Sequence, residues 1–175
     1  MAFAAARRPQ PRRLLAACLL ATAPLWPATL KAQDACDGVA ADVVLQQVNA
    51  VRARGLRCGG EGPLQQSGTL GWNPLLARAA QRQADWLARA GLLMHAGPRG
   101  ESLATRVAAV GYRHGRISEN LAAGQDGVKG AVRAWEASAS HCRSLADPRV
   151  TETALACATG QDGEPVWVML LGRPQ

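Results

Sequence analysis

Apolar residues along the chain change period several times, and each change marks an element. Val44, Val48 and Val51 recur at i, i+4 and i+7, the spacing of one helix face, and Gly55 stops the run. Residues 58–71 are rich in Gly and Gln with Pro63 among them, which predicts a loop. Asn73-Pro74 then supplies an N-cap and a proline at the first helical position. The helix it opens carries Leu76, Ala80, Ala84 and Leu87, and Gly91 closes it. Ser102 caps a shorter predicted helix with Leu103, Val107 and Val110, ended by Gly111. Asp126 caps a fourth, with Val128, Val132 and Trp135 on one side.

Period two appears between and after these helices. From Arg116 to Ala122, Ile117, Glu119 and Leu121 fall on one face of a predicted strand, and Ser118, Asn120 and Ala122 on the other. Glu152–Ala158 is a second predicted strand. Val166–Leu171 is apolar without interruption, as expected of a strand covered on both faces. Helices interleaved with a few strands predict an α+β domain, a small sheet between helical layers.

Charge modifies this picture at the N-terminus. The formal charge of the 175-residue chain is +7, from 20 Lys and Arg against 13 Asp and Glu. Residues 1–32 hold five of those cations, Arg7, Arg8, Arg12, Arg13 and Lys31, and no acid. The remainder therefore carries 15 cations against 13 acids, with no basic block of the kind that grips nucleic acid. Residues 1–32 read as a secretory signal peptide: a cationic start, an apolar stretch from Leu14 to Leu25 broken by Trp26-Pro27, and a cleavage site at Ala32. The stretch is too short for a transmembrane helix. Cys18 follows a lipoprotein-like Leu15-Ala16-Ala17, but the apolar core continues past it, which disfavours lipid anchoring there. Residues 33–175 are then one domain, exported to the periplasm or beyond.

Four cysteines remain: Cys36, Cys58, Cys142 and Cys157. An even number in an exported chain predicts two disulfides, and three pairings are open. Proximity along the chain favours Cys36–Cys58 and Cys142–Cys157, where closing a loop of about 15 residues is worth about 3 kcal/mol.

Candidate chemistry is sparse. Glu119 stands where its strand face calls for an apolar side chain, so it must be paired, hydrogen-bonded or protonated. It is either a cleft carboxylate or an edge residue satisfied by backbone. The three histidines, His95, His114 and His141, have no local metal-ligand spacing. His114 sits in a polar stretch and reads as surface. The chain contains no G-x-S-x-G elbow, P-loop or G-x-G-x-x-G run. Asp147-Pro148 reads as a turn after a short helix. Trp72, Trp86, Trp135 and Trp167 read as core or cleft walls, too scattered for base stacking.

Five segments together resemble the CAP superfamily, the cysteine-rich secretory, antigen-five and pathogenesis-related proteins. They are Gly71–Ala77, Met94–Pro98, Gly111-Tyr112 with Ser118–Gly124, Trp135 with Ser140–Leu145, and Asp147–Glu152. The resemblance spans about residues 45–172. It implies a three-layer α-β-α sandwich with a small, mostly antiparallel sheet, and a cleft lined by His95, Glu119, His141 and an acid. That acid is Glu152 on the threonine-glutamate motif, or Glu136 beside Trp135. In relatives the cleft binds a divalent metal, often zinc, and some relatives bind sterols and lipids. The implied function is binding of a divalent metal or a lipid-like small molecule. A metal-dependent hydrolase with Glu119 as base, and a scaffold with a structural His/Glu network, are the alternatives. Ser118 replaces the usual glycine before the glutamate, Leu93-Met94 an aromatic-serine pair, and Met169 a polar glutamine, all toward a more apolar pocket.

Overall fold

A computed structural model describes residues 35–175 apart from 61, 63 and 65. The predicted signal peptide and Cys18 lie outside the described residues. The elements run α1 (Ala41–Ala53), β1 (Gly71–Trp72), α2 (Pro74–Ala90), α3 (Leu103–Ala108), β2 (His114–Ala123), α4 (Gly127–Ala137), α5 (Ala139–Ala146), β3 (Glu152–Thr159) and β4 (Pro165–Pro174).

Local signals act where expected. The Asn73 side chain accepts from the N–H groups of Leu75 and Leu76, and Gly91 takes the left-handed conformation at φ 63°. Ser102 accepts from the Thr105 N–H. Asp126 holds the N-cap position of α4 in extended conformation, without a side-chain cap hydrogen bond. The two-residue strand β1 has no counterpart among the predicted elements. His141 follows α4 and lies in the first turn of a further short helix, α5, which the extended Ser138 separates from α4.

The sheet has four strands in the order β1-β3-β4-β2. Only the β1–β3 pair is parallel; β4 pairs antiparallel with β3 and with β2. Alternate residues of β4 feed two separate cores. Trp167, Met169 and Leu171 pack with Val44 and Val48 of α1, Trp135 of α4 and Leu145 of α5. Val166, Val168 and Leu170 pack with Leu76, Ala80, Ala84 and Leu87 of α2 and Val107 of α3. Helices therefore cover both faces, forming the three-layer sandwich. This double burial explains the unbroken apolar run of β4. Each fully buried side chain of this size contributes about 1.5–3 kcal/mol. Strand β2 is one edge of the sheet, and the Trp135 indole N–H donates to its Leu121 carbonyl at 3.0 Å. The indole thus satisfies an edge acceptor while its rings fill the core.

The disulfides overturn the pairing that chain proximity favoured. Cys36 joins Cys157 across 121 residues, and Cys58 joins Cys142 across 84. Loop-closure entropy grows only by about 0.6 kcal/mol per doubling of length, so packing outranks proximity. The loop after α1 lies directly on α5: a Cβ on Gly59 would come within 2.6 Å of the Ala139 Cβ. That contact carries Cys58 to Cys142.

Candidate functional site

His95 lies in the loop after α2, and two side chains hold that loop. Gln83, on the buried face of α2, donates through Nε2 to the carbonyls of Met94 at 3.2 Å and Ala96 at 3.1 Å. Arg106 of α3 donates through Nη2 to the His95 carbonyl at 3.1 Å. Gly97 permits the close approach, since a Cβ there would meet Glu101 Oε2 at 2.8 Å and Arg106 Cδ at 3.0 Å.

Glu119 points from β2 into this assembly. Its Oε1 lies 2.9 Å from His95 Nδ1 and its Oε2 accepts from Arg106 Nη2 at 2.7 Å. Its side chain is 2% exposed, that of Arg106 10% and that of His95 63%. The carboxylate is thus a buried hinge between a fixed cation and an imidazole that reaches solvent. This answers the anomaly in the strand pattern: an acid on an apolar face is stable there because it is paired on both oxygens. His95 and Glu119 line an open depression of about 320 Å³ with Glu101 and Ser102. Hydrogen bonds from the Arg99 and Glu101 backbone, ahead of the Arg99 charge, hold the Glu101 carboxyl below its ordinary range.

His141 comes from the opposite helical layer, around the edge strand. Its backbone carbonyl accepts from Asn120 Nδ2 at 3.1 Å. Burial, and then the charge of nearby His95, push its imidazole below the ordinary histidine value. It is therefore neutral at pH 7, with its lone pair available.

Glu152 is held elsewhere. Its Oε2 accepts from Tyr112 Oη at 2.8 Å and from Asn73 Nδ2 at 3.1 Å. Burial, then the bond to this carboxylate and its charge, push the Tyr112 phenol up. Glu136 pairs with Arg54 across α4 and α1. Among the described residues, no group of three or more His, Cys, Asp and Glu side chains is arranged to hold a metal ion. Both oxygens of Glu119 are taken, so a closed ligand cage does not fit these side chains as they stand. Two imidazoles remain as donors.

Sequence reasoning missed two residues of the site. Gln83 was legible, because it falls at a buried position in the period of Leu76, Ala80 and Leu87. Arg106 carries no such local signal: its partners lie at residues 95 and 119, and only the packing of α3 beside β2 joins them.

The sequence profile of CAP, the cysteine-rich secretory protein family, matches residues 45–171. The chain belongs to this family. It matches no curated protein. Among solved structures it is similar to an outer surface protein from Borrelia burgdorferi, at 18% identity and TM-score 0.65, over 77% of this chain and 92% of that one. An extracellular protein containing an SCP domain from Bacillus anthracis is 17% identical, with TM-score 0.64, over 75% of this chain and 39% of its own. NaASP2, solved with Zn2+, is 14% identical, with TM-score 0.53, over 79% and 82%. These likenesses show the fold. Among the described residues no helix is long and apolar enough to cross a membrane.

Proposed function

We propose that this is an exported binding protein that takes a divalent cation, zinc by its chemistry, between His95 and His141. The observation that carries the reading is the buried Glu119 carboxylate on His95 Nδ1. A carboxylate on one ring nitrogen fixes the tautomer and leaves the other nitrogen to coordinate, the arrangement that orients metal-bound histidines. Glu119 then orients a ligand rather than being one, and Glu152 braces the end of the sheet. The metal would supply Lewis acidity and a template for an anionic or carbonyl group of a second ligand. The zinc in the NaASP2 structure supports the choice of ion for a chain of this fold. The leader at residues 1–32 and the two disulfides support export.

Isothermal titration with zinc tests the reading. One site is expected, lost in the His95→Ala/His141→Ala variant and weakened about 10–100-fold in Glu119→Gln. Equal affinity in the wild type and the double variant removes the proposal. Because His141 is held below its ordinary value, its share of the affinity should survive somewhat below pH 6.5, where an exposed histidine is already protonated.

A lipid-like second ligand is favoured by one feature. Leu92, Leu93 and Met94, directly before His95, are 42–51% exposed. This exposed apolar run, next in sequence to His95, suits an acyl or sterol surface.

A further inference from the structure

A second hollow lies on the other side of edge strand β2, and neither the metal nor the lipid reading uses it. Its volume is about 480 Å³, and its walls include Arg116 and Ser118 of β2, Ser144 of α5, and Arg149. Such a volume accommodates a small molecule rather than a single ion. Ser118 and Glu119 are consecutive, so their side chains leave β2 on opposite faces. The two hollows therefore flank one strand.

The charge of this hollow is fixed by a buried anchor. Asp147, at the end of α5, accepts from Arg116 Nε through Oδ2 and from Arg149 Nε through Oδ1 at 2.9 Å. Arg149 Nη2 adds a bond to Oδ2 at 3.0 Å. Burial alone would raise this carboxyl, but the bonds from Arg149 and Arg116 bring it down to about 2. Behind it lies Arg52, 1% exposed, whose Nη1 donates to the Asp147 carbonyl at 3.1 Å. Two guanidiniums thus bond the Asp147 carboxylate and a third its backbone carbonyl, and Arg143 also lines the hollow. The Arg116 and Arg149 side chains remain 39% and 61% exposed, so donors beyond those given to Asp147 face solvent. The Ser118 hydroxyl is buried without a hydrogen-bond partner.

We infer that this hollow is a binding site for a tetrahedral oxyanion, a phosphate or sulfate, carried on a small organic molecule. Two guanidiniums held at fixed angles by a shared carboxylate present forks suited to such oxygens. The Ser118 hydroxyl, which has no partner of its own, adds a donor in a further direction, which a three-oxygen group uses better than a planar carboxylate. The hollow exceeds the needs of the anion, and Leu64, Ala146 and Pro148 offer an apolar wall for the rest of the molecule. The site stands independently of any metal at His95.

The test is amide NMR of the disulfide-bonded protein titrated with inorganic phosphate, a hexose monophosphate and the neutral hexose, at matched ionic strength in chloride. Saturable shifts at residues 116–118 and 144–149 are expected with both phosphates and not with the hexose. Tighter binding of the hexose monophosphate identifies an esterified ligand on the apolar wall; equal binding identifies the free ion. Arg149→Gln should weaken phosphate about tenfold. Ser144→Asp, which leaves the Asp147 ion pairs in place, should abolish it, and His95→Ala should leave it unchanged. Chloride producing the same shifts, or Ser144→Asp binding like wild type while folded, overturns the site. So does binding confined to long polyanions.

Discussion

The phenol of Tyr112 lies over Gly172, where a Cβ would come within 2.5 Å of its Oη, and from there it donates to Glu152 at 2.8 Å. Ile117, Gly172 and Glu152 are register partners across β2, β4 and β3. The missing side chain at 172 makes room for the ring, and the ring holds Glu152 at the end of the sheet. Gly172→Ala should therefore displace the phenol and destabilise the protein by about 1–3 kcal/mol, as overpacking does. Urea unfolding at neutral pH checks this, and an unchanged midpoint would show that the ring is not confined.

Glu119 is a structural partner as well as an orienting group. Removing it leaves the Arg106 guanidinium nearly buried and without its counter-ion. Glu119→Ala should cost about 3–5 kcal/mol, whereas Arg106→Met, which removes the cation instead of the acid, leaves Glu119 with His95 alone. Comparing Glu119→Ala, Arg106→Met and the variant carrying both in a mutant cycle measures the coupling directly. Additivity would mean that the pair contributes nothing.

Asp147 makes stability depend on pH in a defined window. Its carboxyl titrates at about 2 in the folded protein, against about 3.9 in the unfolded chain. A depressed folded value adds stability that is complete above the unfolded value and is lost as pH falls toward the folded one. Unfolding midpoints should therefore drop between about pH 4 and pH 2, and Asp147→Asn should flatten that drop. A variant as acid-sensitive as the wild type would assign the loss to other carboxyls.

The two disulfides close long loops: Cys36–Cys157 ties the segment before α1 to β3, and Cys58–Cys142 ties the loop after α1 to α5. Replacing Cys58 and Cys142 with alanine should cost about 2–5 kcal/mol. Both side chains are fully buried in the core beside α1 and α4, so the loss includes packing. Peptide mapping without reduction should recover the Cys36–Cys157 and Cys58–Cys142 links. Any Cys36–Cys58 peptide would contradict this connectivity.

Much of the architecture was legible in local chemistry. The Asn73 and Ser102 caps, the Gly91 stop and the apolar periods of α1, α2 and α4 involve partners within one or two helical turns. For that reason sequence alone specifies them. The unbroken apolar run of β4 likewise announces a strand covered twice, and the five ordered segments around His95, Glu119 and His141 announced the family. Strand β1 escaped because two residues carry no period.

What sequence could not decide is every relationship made between distant segments. Glu119 was conspicuous as an acid on an apolar face, yet its partners, His95 and Arg106, are set by how the loop after α2 and helix α3 pack on β2. The same holds for Glu152, whose motif matched the expected cleft acid but whose carboxylate Tyr112 and Asn73 hold. Arg52 sits in the predicted face of α1 with no hint that its guanidinium would be buried behind Asp147. The disulfide pairing reversed chain proximity because closing a longer loop costs little extra, while a packed core brings only certain cysteines together. Local elements follow from residues in reach of one another along the chain; ion pairs, crosslinks and hollows follow from which surfaces the two cores press together.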